Sequence, residues 1–263
     1  MAYGAPRKSL GQHFLTDRNI LGSIADAAEV GPGDTVIEVG PGRGALTAVL
    51  AERAQRVIAV ELDGALARSL AVAAPSNVEV MEADARAVDP AALLGGCAPY
   101  KMLGNLPYYA AMPILRRFLE AECRPECAAV LVQREVAEQM CAKPGAMSLV
   151  SLAVQLYGSA RVARIVRPGS FTPPPKVTSA VVATTLHDGL AEGVDDAERF
   201  FVLARAGFSA PRKQLRNALA SGLKVAPDEA EQLLAAAGIE ASRRAQTLSM
   251  AEWASLYRVW RSA

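Results

Sequence analysis

Short apolar runs alternate with longer amphipathic stretches over the first two thirds of the chain, and this alternation predicts its elements. Thr35-Val-Ile-Glu-Val39 reads as a buried strand, followed by a glycine-rich turn and a helical pattern over Ala45–Ala54. Arg56–Val60 is a second strand, with helical Gly64–Ala73 behind it. Val78–Met81, Tyr100–Asn105 and Ala128–Val132 are the third, fourth and fifth. Short apolar strands between helices imply βαβ units and a mostly parallel sheet covered on both faces. The rhythm then changes. Arg161–Arg167 and Thr178–Leu186 are strand-like runs joined by a proline-rich segment, which predicts an antiparallel hairpin closing the sheet. A polar stretch over Thr185–Asp196 follows, and Glu198–Ala263 shows only helical periodicity. The expected organisation is an α/β domain over 1–187 and a small all-α domain over 188–263, with no internal repeat.

Composition narrows this picture mainly by exclusion. In 263 residues, a hydrophobic fraction of 51% is ample for a packed core, so a disordered chain is excluded. With 28 Lys and Arg against 27 Asp and Glu, the net charge of +1 lacks the basic footprint of a nucleic-acid binder. No apolar run approaches the roughly 18 residues a membrane helix needs. Met1–Gln12 lacks the apolar core of a signal peptide. A cytoplasmic protein without membrane association is expected. Only His13 and His187 are available as imidazoles, and Cys97, Cys123, Cys127 and Cys141 show no paired metal-ligand spacing, so no metal site is expected. The cysteines are expected to be reduced, small apolar residues.

The first motif with chemistry is Glu38-Val-Gly40-Pro-Gly42-Arg-Gly44, between a strand and a helix. Glycines there permit a sharp turn and let a ligand approach the backbone. Gly40, Gly42 and Ala45 satisfy a dinucleotide-type spacing, and Glu61 ends the next strand, well placed to accept both ribose hydroxyls. That much serves NAD and S-adenosylmethionine alike. Glu38 inside the turn and Asp84 at the end of the third strand favour the methyl donor, Glu38 through the loop or the donor's ammonium group and Asp84 through the adenine amine. No acid suited to hydride transfer is evident. The second motif, Asn105-Leu106-Pro107-Tyr108, follows the fourth strand and is stiffened by its proline. Such a turn suits methylation of an exocyclic aromatic amine. The Asn105 side-chain oxygen and the Leu106 carbonyl can each accept one amino hydrogen, leaving the nitrogen lone pair directed at the methyl group. Tyr108 can stack on the base.

With these motifs in this order, the sequence resembles the rRNA adenine N6,N6-dimethyltransferases over nearly its whole length. Gln12-His13-Phe14-Leu15 is similar to the family's Gln-Asn-Phe-Leu motif over the methyl donor, with His13 in place of the more usual Asn. Phe171-Thr-Pro-Pro-Pro-Lys-Val-Thr-Ser resembles the motif whose aromatic residue faces the target adenine. The resemblance implies a Rossmann-like class I S-adenosylmethionine-dependent methyltransferase sheet, with donor contacts at His13, Leu15, Glu38, Gly40, Gly42, Glu61, Leu62, Asp84, Ala85 and Asn105. It further implies a flipped-out base held between Tyr108 and Phe171. The partner implied is small-subunit rRNA in an immature 30S subunit, two neighbouring adenines of a terminal helix loop being dimethylated by a monomeric enzyme. Tyr109 and the Phe208–Asn217 stretch look like the bacterial small-subunit branch. The rivals are the related large-subunit enzyme of macrolide resistance and a methyltransferase-like binding factor.

Charge placement adds to this. No acid occurs from Gln139 to His187, where Lys143, Arg161, Arg164, Arg167 and Lys176 lie, nor from Arg205 to Lys224, where Arg212, Lys213 and Arg216 lie. The second stretch predicts a helix with Ser209 as N-cap, Pro211 in its first turn, Gly222 after its end, and Arg212 and Arg216 on one face. Cations in a first turn oppose the helix dipole at roughly 0.3–1 kcal/mol each. RNA phosphate contact by Arg212, Lys213, Arg216 and Lys176 is therefore preferred to a merely solvated face.

Overall fold

The computed structural model describes residues 13–263; Met1–Gln12, with the signal-peptide reading and the Gln12 of the first motif, lies outside the described residues. The described chain opens with β1 (Phe14–Leu15) and α1 (Arg18–Ala27), whose N-cap Asp17 accepts from the Asn19 and Ile20 amides. Alternating elements follow: β2 (Thr35–Val39), α2 (Ala45–Ala51), β3 (Arg56–Glu61), α3 (Gly64–Ala73), β4 (Val78–Glu82), α4 (Pro90–Leu94), β5 (Lys101–Asn105), α5 (Ala111–Leu119), β6 (Cys127–Gln133) and α6 (Arg134–Met140). Then come α7 (Leu149–Gln155), β7 (Gly158–Val166), β8 (Phe171–Thr172) and β9 (Ser179–Leu186). Helices α8 (Ala197–Phe208), α9 (Leu215–Leu223), α10 (Pro227–Ala236) and α11 (Met250–Ser262) complete the chain.

Seven strands form one sheet in the order β4-β3-β2-β5-β6-β9-β7, while β1 and β8 form a separate antiparallel pair. Strands β2 to β6 run parallel, and β9 runs antiparallel to β6, between β6 and β7. The central strands are largely apolar because helices cover both faces, as in Val36, Ile37 and Val39 of β2 and Val57–Val60 of β3. Pairing matches Val39 with Val60 and with Gly104, so β2, β3 and β5 end together at one edge. That approach needs a glycine at 104, where a Cβ would run into the Val39 carbonyl oxygen. The chain leaves β2 for β3 and β4 on one side and returns to β5 on the other. This makes the β2/β5 edge the topological switch point, where open α/β sheets bind ligands.

The chain divides into two compact units. One takes in residues up to Ala137 with Ala160–Leu186, and the other Glu138–Ser159 with His187–Ala263. The sequence groups 138–159 with the sheet. In the structure it belongs with the helices, because the Gly145 and Met147 amides donate to the Gln246 carbonyl (2.8 and 3.2 Å) and the His187 amide to Tyr157 (2.9 Å). The helical unit is built around fully buried Trp253, whose ring stacks on Phe208 at 5.5 Å. Cysteine chemistry also departs from expectation. Cys97 and Cys123 are disulfide-bonded, with Cα atoms 5.4 Å apart, because the loop ahead of β5 and the segment after α5 converge; Cys127 and Cys141 are free thiols. No helix among the described residues is long and apolar enough to cross a membrane.

Candidate active site

One cleft opens at the carboxyl edge, and the strand ends supply its walls. The turn after β2 contributes Glu38, Gly40 and Gly42, the end of β3 Glu61 and Leu62, and the segment after β4 Asp84 and Ala85. Asn105, Leu106, Pro107 and Tyr108 continue β5, and His13 and Leu15 close the cleft from β1. Every residue that the sequence assigns to the donor thus lines a single cavity. Phe171 does not.

At the base of the turn, Glu38 is only 1% exposed, and neither of its carboxylate oxygens has a hydrogen-bond partner among the described residues. Burial pushes its carboxyl up to about 8, with the nearby Thr47 hydroxyl working against that and the Glu61 charge adding to it. A buried carboxyl without a partner is costly, and a cationic ligand group in the cleft would relieve it. Glu61 is the opposite case. Its Oε2 accepts from the Gly42 amide (2.9 Å) and its Oε1 from the Asp63 amide (2.8 Å). The carboxylate therefore ties the end of β3 to the glycine turn and keeps further lone pairs for hydroxyl donors. Burial raises its pKa, opposed by those amides. Gly42, at φ +57°, sits where a Cβ would press on the Phe14 ring at 3.0 Å, so only glycine presents its amide to Glu61 without strain.

Asp84 is held by a residue the sequence reading missed. The Arg86 guanidinium grips both carboxylate oxygens, Nε to Oδ1 at 3.0 Å and Nη2 to Oδ2 at 2.6 Å, and the Arg86 amide reaches Oδ1 at 2.9 Å. Arg86 holds the carboxyl below the usual carboxylate range, so it remains an ionised acceptor of fixed orientation. Beside it, Leu62 is 45% exposed at the cleft wall and offers a flat ring an apolar face. Arg43, Phe14 and Tyr109 also line the cleft unforeseen, with the Arg43 guanidinium 4.4 Å from the Phe14 ring centre. An arginine two residues beyond an acid is the one local signal that would have marked Arg86.

The Asn105–Tyr108 turn is oriented from β1. The Asn105 amide donates through Nδ2 to the His13 carbonyl at 3.0 Å. That bond settles which end of the amide is which and leaves Oδ1 as the acceptor. Leu106 is buried, its amide donating to Leu131 at 3.3 Å. The Tyr108 hydroxyl lies 2.6 Å from Ser179 Oγ, and burial pushes the phenol up, against the pull of that hydroxyl.

Two groups of expected residues are placed differently. Phe171 is 3% exposed, pairs with Leu15 in the β1–β8 ladder and packs in the hydrophobic core. The ring stacked on Tyr108 is that of His13, at 5.9 Å between centres and 25° between planes. The predicted basic helix starts later than expected. Ser209 closes α8 by donating to the Ala206 carbonyl (2.7 Å), α9 begins at Leu215, and Gly222 lies inside α9. Arg212 and Lys213 are exposed in the turn before α9 and share no helical face with Arg216. Arg216 is ion-paired with the exposed Glu231 at 2.8 Å. Lys176 is exposed between β8 and β9.

A switch-point sheet, a glycine turn backed by a buried acid, and acids ending the next two strands together define a Rossmann-like methyltransferase. Residues 5–260 match the model of the Ribosomal RNA adenine dimethylase family, and the chain belongs to that family. It is a methyltransferase whose methyl donor is S-adenosylmethionine. It is 48% identical over 257 residues to the Ribosomal RNA small subunit methyltransferase A of Dehalococcoides mccartyi, covering 97% of this chain and 88% of the relative. Identity to the protein of the same name from Anaeromyxobacter dehalogenans is 42%, covering 96% and 92%. Among solved structures, the 23S rRNA methyltransferase ErmE superposes with a TM-score of 0.75 at 28% identity, covering 94% of this chain and 98% of that one. A dimethyladenosine transferase from Plasmodium falciparum has the same fold, with a TM-score of 0.77 at 23% identity over 93% and 96%.

The cleft fits the donor on its own chemistry, the buried Glu38 carboxyl suiting a cation and Glu61 suiting hydroxyls. Glu61→Ala is expected to weaken S-adenosylmethionine binding at least about tenfold, the equivalent of roughly 1.4 kcal/mol. Calorimetric titration checks this, and an unchanged affinity would remove Glu61 from the ribose contact.

Proposed function

We propose that the protein dimethylates the N6 amino groups of two adjacent adenines in the 3′-terminal helix loop of small-subunit rRNA, acting as a cytoplasmic monomer on an immature 30S subunit. The observation that carries the reading is the Asn105–Tyr108 turn, with the Asn105 amide fixed by the His13 carbonyl, at the mouth of the donor cleft. Identity of 48% to a small-subunit enzyme, against 28% to the 23S enzyme ErmE, supports the choice of subunit.

The donor supplies a methyl group activated on a sulfonium sulfur. The chain supplies position. Asn105 Oδ1 and the Leu106 carbonyl accept the two amino hydrogens of the adenine, and Tyr108 stacks on its face. The attacking amine is already neutral, so no strong base is needed, and the rate rests on alignment and on acceptors placed for charge moving from sulfur to nitrogen. In the helical unit, Arg212 and Lys213 contact RNA phosphates, as does Lys176 in the sheet unit. Replacing Arg212 and Lys213 together by alanine is expected to lower the salt dependence of RNA binding by about two phosphate contacts. An unchanged slope would exclude that turn.

The decisive experiment is donor-dependent methylation of 30S subunits isolated from a strain lacking the modification, followed by mapping of the label. Dimethyladenosine at two neighbouring positions near the 3′ end is expected. Label on large-subunit rRNA alone would transfer the chain to the ErmE-like activity.

A further inference from the structure

We propose that Arg86 makes the donor site selective for a 6-aminopurine, by locking the Asp84 carboxylate so that a single acceptor position stays open to the donor's adenine amine. The inference rests on the reading of Asp84 as the adenine acceptor. It deepens that reading by placing part of the specificity on a positioning side chain that need not touch the donor.

The backbone of this segment is fixed without Arg86. The Ala83 amide donates to the Glu61 carbonyl (2.9 Å), and the Ala87 amide closes a turn on the Asp84 carbonyl (2.9 Å). Beyond the turn, the Val88 carbonyl accepts from Arg117 Nε (2.6 Å), which ties the segment to α5. What those bonds leave undetermined is the Asp84 side chain, which stands 33% exposed in the cleft wall and is otherwise free to change rotamer. Three hydrogens from Arg86 settle it. Its amide and Nε reach Oδ1 at 2.9 and 3.0 Å, and Nη2 reaches Oδ2 at 2.6 Å, with Nε also 3.1 Å from Oδ2. A carboxylate has about four acceptor positions. Two are taken on Oδ1 and one on Oδ2, so one position on Oδ2 is left, and one position suits one amine hydrogen. A 6-oxopurine in the same place would set its carbonyl oxygen against Oδ2, acceptor against acceptor. The edge of the guanidinium that could donate to that oxygen is already spent on Asp84. Stability does not account for the arrangement, because ion pairs as exposed as this one add little to folding.

The test is calorimetric titration of S-adenosylhomocysteine and S-inosylhomocysteine, the amino and oxo forms of one ligand. The proteins are the native chain, Arg86→Leu, Arg86→Lys and Asp84→Ala, each first checked by thermal unfolding. The native chain is expected to prefer the amino form by about a hundredfold or more. Arg86→Leu is expected to cut that ratio by at least about tenfold, losing affinity for the amino form and not for the oxo form. Arg86→Lys keeps the charge without the fork, and its ratio is expected to stay near that of Arg86→Leu. Three results would overturn the proposal: no preference in the native chain, an unchanged ratio in Arg86→Leu, or an equal loss of both ligands, as a merely structural role would give. Full recovery in Arg86→Lys overturns it too, since charge alone would then suffice. Should Arg86→Leu not fold, Arg86→Gln takes its place. Asp84→Ala tells the two levels of failure apart. A ratio untouched by Asp84→Ala refutes the adenine reading of Asp84 itself. A ratio that collapses in Asp84→Ala and survives in Arg86→Leu refutes only the role of Arg86.

Discussion

Asn105→Ala is expected to reduce methyl transfer by about 10²–10³-fold while leaving S-adenosylmethionine affinity within a few-fold of native. The magnitude follows from removing one preorganised polar group aimed at developing charge, which typically costs that much in turnover. The direction follows from geometry. Asn105 Nδ2 is held by the His13 carbonyl, which leaves Oδ1 as the acceptor that aligns the amine. Alanine removes that acceptor, and binding elsewhere in the cleft persists. Asn105→Asp is the informative partner. It keeps an acceptor but sets a carboxylate against the His13 carbonyl, so the side chain turns away and turnover falls as well. Single-turnover methylation of unmodified subunits reads both variants. A near-native rate for Asn105→Ala would take the residue out of catalysis.

The second large effect belongs to Glu38. Its carboxyl is wholly buried, with no hydrogen-bond partner among the described residues, and burial pushes it up to about 8 from an ordinary 4.5 by disfavouring the charged form. The folded state therefore holds a proton that the unfolded state releases. Stability from this group is fully present below about pH 4.5 and is lost as pH rises toward 8, an effect on the order of 5 kcal/mol for so large a displacement. Glu38→Gln should flatten that decline in thermal melts. A cationic group entering the cleft reverses the preference and drives the proton off. Donor affinity is thus expected to rise by up to about tenfold per pH unit between about pH 6 and 7.5, where the donor's own α-ammonium stays mostly charged. In Glu38→Gln the affinity is lower and the slope vanishes. A slope that survives the substitution would mean that Glu38 keeps its proton state when the donor binds.

Much of the fold is legible in the sequence because its signals are local. Helix α3 over Gly64–Ala73 and strand β2 over Thr35–Val39 fall where periodicity places them, and the other sheet strands agree to within a few residues. That the expected donor residues share one cleft was legible for a related reason. In a parallel sheet every strand delivers its carboxyl end to the same edge, so the residue that ends a strand becomes a candidate before any contact is known. Glu38, Glu61, Asp84 and Asn105 sit far apart in sequence, and the register of β2, β3, β4 and β5 gathers them.

What local pattern could not supply is the partner of each side chain. The β1–β8 pairing joins residues about 157 apart and turns Phe171 into the core, leaving the imidazole of His13 against Tyr108. Arg216 carries a phosphate-like signal in sequence, and only the structure shows that Glu231 of helix α10 pairs with it. The 138–159 segment reads as part of the sheet and joins the helices through Gln246, about a hundred residues further on. Cys97 and Cys123 meet only because two loops converge. By itself, the sequence determined the strand order in time, the turn chemistry and the acids at the strand ends, since these depend on spacing and backbone preference. The tertiary structure alone decided which ring stacks on Tyr108, which cations are ion-paired and which carboxyl is sealed under the glycine turn, because those outcomes depend on packing between residues that the chain keeps far apart.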